Sequence, residues 1–156
     1  MRAGSHFNGE GTLFASVTHP GMVLEFCLTS FAVPVASGVL ARVVSSAAGP
    51  DVQCIPVTID GNPGMYVLNV VRVVRCLDES RSEFLKWTDR DHRADLAGQY
   101  RQVTKLAIDP DAIPSDAHFF RISGWEVAII LSQDVKEAME RVGCVGAEFR
   151  DLQTKR

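Results

Sequence analysis

A chain of 156 residues fits one domain and is long enough to bury a sizeable core without staples. Its composition, 46% hydrophobic and 22% charged, is that of an ordinary globular protein. A net charge of -3 and a pI near 5.8 argue against a nucleic-acid binder, which carries a basic face.

Residues 1–20 are rich in glycine and small polar side chains without periodicity, and are expected to be a flexible or edge segment. Residues 22–33 favour a strand that Pro34 breaks. The uncharged run 26–41 is short for a membrane span, which needs roughly 20 apolar residues. The N-terminus, with Arg2 followed by Glu10 and a late apolar run, is a poor signal peptide. Val39, Leu40, Val43 and Val44 fall at helical spacing, which predicts a helix over 35–48 ended by Gly49-Pro50. Residues 51–59 form a strand in which Pro56 lacks the ladder donor, so an edge or bulged strand is expected. Residues 60–64, Asp-Gly-Asn-Pro-Gly, are the strongest turn signal of the chain. Residues 65–76 are the longest strand candidate, apolar on both faces at their start and suited to a central place. Asn69 in that strand is then a buried polar group that needs partners.

Residues 77–96 change character, with six acids and four bases around Phe84, Leu85 and Trp87. They predict an exposed, partly helical excursion whose plain meaning is a solvated face and whose sharper meaning is a partner surface. A strand returns over 100–108, and 109–116 is a loop fixed by two prolines and carrying three acids. Phe119 to Ile122 and Trp125 to Leu131 flank Ser123-Gly124, a hairpin signal. The second run is almost wholly apolar and is expected to be buried on both faces, with Phe120 and Trp125 filling the core. Ser132 is a good N-cap, Asp134 suits the helix start, and Val135, Ala138, Met139 and Val142 form one helical face ended by Gly143. A last strand is expected over 145–152, with a frayed tail. The order of elements is that of a single α+β domain, a largely antiparallel sheet with two main helices.

Catalytic signatures are missing. The chain has no GxSxG, no GxGxxG and no phosphate loop. Cys27, Cys54, Cys76 and Cys144 make no CxxC pair and sit among apolar residues, which suits four reduced thiols in a cytoplasmic protein. Cys76 with His118 and Asp116 would have the atoms of a nucleophilic trio, but their spacing does not support it. Asp109, Asp111, Asp116 and His118 would suit a cation in a small metal-dependent hydrolase, although Asp-Pro-Asp loops are common as plain turns. No catalytic residue, metal or cofactor is assigned, and a binding module outranks an enzyme.

Several segments then act together. Tyr66 to Val70 (Y-V-L-N-V) is followed by Cys76-Leu77-Asp78 and Ser80-Arg81-Ser82. Asp109-Pro110, Ile113-Pro114 and His118 to Glu126 (H-F-F-R-I-S-G-W-E) come next. Ser132 to Arg141 and Gly146 to Phe149 (G-A-E-F) close the pattern. This pattern resembles the myxobacterial-type immunity-protein family of bacterial polymorphic-toxin systems, first catalogued as a domain of unknown function. The resemblance covers residues 50–152, extends to Pro34 and is absent from the first thirty or so. It implies a poorly defined segment over 1–33, an immunity-protein-like domain over 34–152 and a tail over 153–156. It further implies a non-catalytic protein that binds a cognate protein toxin, with no nucleic-acid or membrane partner. An acidic inhibitor of a basic toxin gains steered association. Contact residues expected on that basis are Asp78, Glu79, Asp89, Asp91 and Asp95 in the excursion and Asp109, Asp111 and Asp116 in the loop. Trp87 is the aromatic anchor. The third reading is a structural homodimer through residues 22–41.

Overall fold

The computed structural model of the protein describes residues 4–154. Residues 1–3 of the segment expected to be flexible, and Lys155 and Arg156 of the tail expected to fray, lie outside the described residues. The chain is α+β, with two α-helices and mostly antiparallel sheets among the described residues.

The largest sheet has five strands: β1 (Leu13–Ala15), β4 (Val52–Ile59), β5 (Asn62–Val70), β3 (Pro34–Ser37) and β2 (Phe26–Leu28), in that spatial order. All its pairings are antiparallel except β1 on β4. Strand β5 is central, as its two apolar faces predict. Asp60 and Gly61 have φ of 47° and 80°, which gives the tight turn that joins β4 to β5. Pro56 lies outside the stretch of β4 that β1 covers, and the strand bulges between Val57 and Ile59. Pro34 does not end the preceding strand but opens the next one, a place where its missing N–H is tolerated. The expected strand over 22–33 is reduced to β2. Ser37 ends β3 and caps α1 (Gly38–Ala48) by accepting from the Leu40 N–H at 3.3 Å. The helix therefore starts three residues later than its apolar spacing suggested.

Helix α2 (Gln133–Arg141) is capped by Ser132, which accepts from the Val135 N–H. Val135 and Met139 of α2 meet Leu40, Ala41 and Val44 of α1 over Leu68 and Val70, and Phe119 closes this main core. The opposite face of the sheet is a smaller cluster of Val35, Ile55, Val57 and Val67, covered in part by Phe7. Buried Asn69 finds its partners here: its amide donates to the Ser5 carbonyl at 2.9 Å and to Gln53 Oε1 at 3.1 Å.

Strand β6 (Val73–Val74) follows β5 after a break at 71–72. It pairs with β10 (Phe119–Ile122), which forms the expected hairpin with β11 (Trp125–Leu131). Phe120 and Ile122 are buried with Val74, Cys76 and Ile108 in a third cluster. Strand β11 is an edge strand with only Ile130 fully buried and Val127 56% exposed, so the expectation of burial on both faces does not hold. Trp125 packs on the third cluster from its margin rather than filling it.

The excursion after Cys76 is a β-ribbon of β7 (Glu83–Lys86) and β8 (Tyr100–Lys105). The helical part expected of it is one 3-10 turn at Ala94–Leu96, and the rest is ribbon and loop. Strand β9 (Ala107–Ile108) continues β8, and β12 (Gln153–Thr154) pairs with it in parallel. The strand expected over 145–152 is absent. That stretch is irregular and packs Phe149 against the main core, while the sheet hydrogen bonds come one step later, in residues read as frayed tail.

Candidate partner-binding site

The ribbon is built around Tyr100. Its ring meets Phe84 edge-on at 5.2 Å, and the Lys86 ammonium lies 5.1 Å from its centroid. The Tyr100 hydroxyl donates to Glu79 at 2.6 Å, and Lys86 donates to the same carboxylate at 2.6 Å. Lys86 and Tyr100 hold the Glu79 carboxyl below its ordinary range. Burial, then the hydrogen bond to Glu79, pushes the Tyr100 phenol up to about 12.

Beyond β7, paired backbone bonds between Trp87 and residues 98–99 close a loop at the tip. The Trp87 ring is flanked by Arg101 at 4.9 Å and His92 at 5.2 Å. Asp91 accepts from the Thr88 N–H at 2.7 Å and its hydroxyl at 2.9 Å, and pairs with Arg101 at 3.4 Å. Asp95 takes both arms of Arg93, at 2.9 and 2.7 Å. Asp78 accepts from the Ser80 hydroxyl and N–H at 2.6 and 3.0 Å. Hydrogen bonds to the charged form keep all three of these carboxyls below the ordinary range: the Thr88 backbone first for Asp91, Arg93 for Asp95 and the Ser80 hydroxyl for Asp78. The expected contact acids are therefore also the staples of their own loop.

Asp78, Glu79 and Asp109 share one cleft of about 550 Å³ with Arg75, Lys86 and Tyr100. Trp87 faces a second cleft of about 330 Å³ on the other side of Tyr100. Asp89 and Asp111 are exposed and have no ion-pair partner among the described residues. Asp109 caps the turn that follows it by accepting from the Asp111 N–H at 3.1 Å. Asp116 stands apart from both clefts and pairs with Arg72 at 2.7 Å. The structure thus brings Asp78, Glu79 and Asp109 to one cleft, leaves Asp89, Asp91 and Asp95 on the tip loop outside both clefts, and sets Asp111 and Asp116 apart.

The enzyme alternatives find no assembled site. Asp116 is turned to Arg72, and the His118 ring lies 3.3 Å from the Ser132 hydroxyl. Burial, with the Asp109 charge second, pushes the Cys76 thiol up to about 11, away from reactivity. No group of three or more His, Cys, Asp or Glu side chains is placed to hold a metal among the described residues. No helix among the described residues is long and apolar enough to cross a membrane.

Sequence reasoning passed over three residues. Asp51, 1% exposed, accepts from the His118 and Phe119 N–H groups at 2.6 and 3.1 Å and so ties the start of β4 to β10. Following Gly49-Pro50, it looks like any turn acid. Arg121, 8% exposed, donates to the Glu126 and Ala32 carbonyls and lines the second cleft. One charge inside the run Phe-Phe-Arg-Ile was the available signal. Phe31, 89% exposed on the lip of the same cleft, had none.

Comparison with known protein families matches residues 52–154 to an immunity protein family, Imm11. The match takes in β4 to β12, and with them the ribbon and the β10–β11 hairpin. No curated protein matches the chain.

Proposed function

The chain belongs to the immunity protein family Imm11, and we propose from that membership that it binds a cognate bacterial toxin and neutralises it stoichiometrically, without catalysis. It would act in the cytoplasm as one part of a polymorphic-toxin system, with no cofactor. The family match is the observation that carries this reading. The ribbon acids support it: Asp78, Glu79, Asp91 and Asp95 are held in their charged form and in fixed positions by neighbouring donors, which offers a partner a pre-set array of carboxylates and bases along the ribbon. Asp89 adds an unpaired charge at the same tip, and Asp109 and Asp111 extend the acidic side. Asp116 belongs to the contact set only if the partner also reaches the Arg72 corner. Such a surface accelerates encounter with a basic partner and screens out acidic ones.

The test is co-expression with the product of the adjacent gene, tagging the partner alone. A 1:1 complex is expected, with an association rate that falls as salt rises past about 0.1 M, where the screening length is about 10 Å. Reversing Asp89 and Asp95 to lysine together should slow association about tenfold. A toxin that ignores the protein, in pull-down and in protection assays, would sink the reading.

A second reading, a homodimer, is favoured by the exposure of Met22 (78%), Val23 (89%) and Leu28 (54%) near the edge strand β2. A strictly monomeric sedimentation profile at micromolar concentration would remove it.

A further inference from the structure

Arg121 projects from β10 into the cleft of about 330 Å³ between the ribbon, the β10–β11 hairpin and the turn before β3. It is 8% exposed, and burial pushes its guanidinium below the ordinary arginine range. A buried cation is normally matched by a carboxylate. Here its acceptors are two backbone carbonyls, those of Glu126 and Ala32, and no carboxylate forms an ion pair with it among the described residues. A guanidinium has five N–H donors, so the two carbonyls leave donors to spare on a side chain that lines the cleft. The Glu126 carboxylate is close enough to act on Arg121 through space, yet it is turned to the Gly124 N–H at 3.0 Å.

The lip of the cleft is prepared as well. Thr29 accepts from the Phe31 and Val33 N–H groups at 3.3 and 3.2 Å, and Ala32 is held at φ 54° with its carbonyl on Arg121. This small turn presents Phe31 with 89% of its surface in solvent. A fixed, exposed phenylalanine facing Trp87 and Trp125 across an arginine has the composition of an interface hot spot.

We propose that this cleft receives a carboxylate-bearing side chain of the partner protein, which bonds Arg121 while the surrounding partner chain packs between Phe31, Trp87 and Trp125. The inference rests on the reading of this chain as a partner-binding protein and adds a cationic slot inside its acidic face. A carboxylate fits better than a neutral acceptor because charge-assisted bonds to guanidinium are roughly twice as strong. It fits better than phosphate because Glu126 lines the same cleft and would repel a dianion. Glu126 on the same lining would also repel an acid that cannot reach Arg121, so the slot selects by position as well as by charge.

Both tryptophans of the chain line this cleft, so intrinsic fluorescence reports on its occupancy. The full chain is titrated with a blocked Ala-Ala-Glu-Ala-Ala peptide and with its Gln counterpart. A saturable fluorescence change is expected for the Glu peptide, with at least tenfold weaker binding of the Gln peptide. Phe31→Ser and Val127→Glu, both at exposed positions, should weaken the Glu peptide at least fivefold with an unchanged circular dichroism spectrum. Equal binding of the two peptides, or no change with either, overturns the slot. If the toxin still binds both variants as it binds the wild type, the slot falls and the immunity reading stands. If the toxin never binds while the Glu peptide does so selectively, the immunity reading falls and the slot remains.

Discussion

Asp51 shows how much one buried carboxylate can organise. Its side chain satisfies the N–H groups of His118 and Phe119 at the entry to β10, its carbonyl accepts from the Val71 N–H at 2.9 Å, and Arg72 stands 4.0 Å away. Asp51→Ala would strand two buried donors and should cost about 3 kcal/mol in urea unfolding, with Asp51→Asn, which keeps an acceptor, costing about half as much. Equal loss in both would mean that charge, not hydrogen bonding, is what Asp51 supplies. Tyr100 and Glu79 form a second such unit, open to pH. The Tyr100 value is raised, so its contribution is complete below about pH 10 and is lost as pH rises through about 12. The Glu79 value is lowered, so its contribution is present above about 4.5 and is lost as pH falls below that. In a Tyr66→Phe background, ultraviolet titration should place Tyr100 ionisation near 12, and Glu79→Gln should lower it while burial still holds it above the ordinary phenol value. An unmoved titration would remove Glu79 as a partner.

At the scale of elements, local signals were followed where local energies decide. The Ser132 cap, the Asp60-Gly61 turn and the Ser123-Gly124 hairpin are all set by short-range hydrogen bonds and φ preferences. The signals failed where docking decides. Residues 145–152 suggest a strand anchored by Phe149, yet they pack irregularly beside β2, where the Phe26 N–H donates to the Val145 carbonyl at 3.1 Å. Gly146 makes this approach at φ 105°, and a Cβ there would lie 2.1 Å from the Phe26 carbonyl oxygen. Gly143, at φ 73°, has open space around its missing Cβ. Gly143→Ala should therefore cost about 1 kcal/mol of left-handed strain. Gly146→Ala must also push the segment off β2 and should cost about 3 kcal/mol or more by thermal or urea unfolding. Similar losses at both positions would mean that the segment is not docked this way.

For the whole molecule, the segment before Pro34 is tied into the fold although the family match begins at residue 52. The Phe7 N–H and carbonyl bond the Gln53 side chain at 2.8 and 2.9 Å, β1 and β2 edge the main sheet, and Phe7 and Leu13 pack on the Val35, Ile55, Val57 and Val67 cluster. A chain beginning at residue 34 should bind a hydrophobic dye and melt below the full chain, because that cluster loses part of its cover. An unchanged melt would instead place the functional unit at 34–152. The same segment carries Phe31 to the cleft, so the shortened chain also tests where partner selection resides.

The sequence by itself determined the α+β class, the central place of β5, the existence of both helices, the Ser132 cap of the second, the hairpin, and the family through its motifs. These are properties of periodicity, turn chemistry and short patterns, which act over a few residues. It located most of the ribbon acids as candidates but could not see their distant donors: Glu79 meets Lys86 and Tyr100, and Asp91 meets Arg101, only because the ribbon folds back on itself. The edge position of β11, the latch at Asp51 and the meeting of Arg121 with Phe31 were decided by tertiary structure. Each joins residues far apart in the chain, and the free energy of those contacts exists only once the sheets and helices have come together.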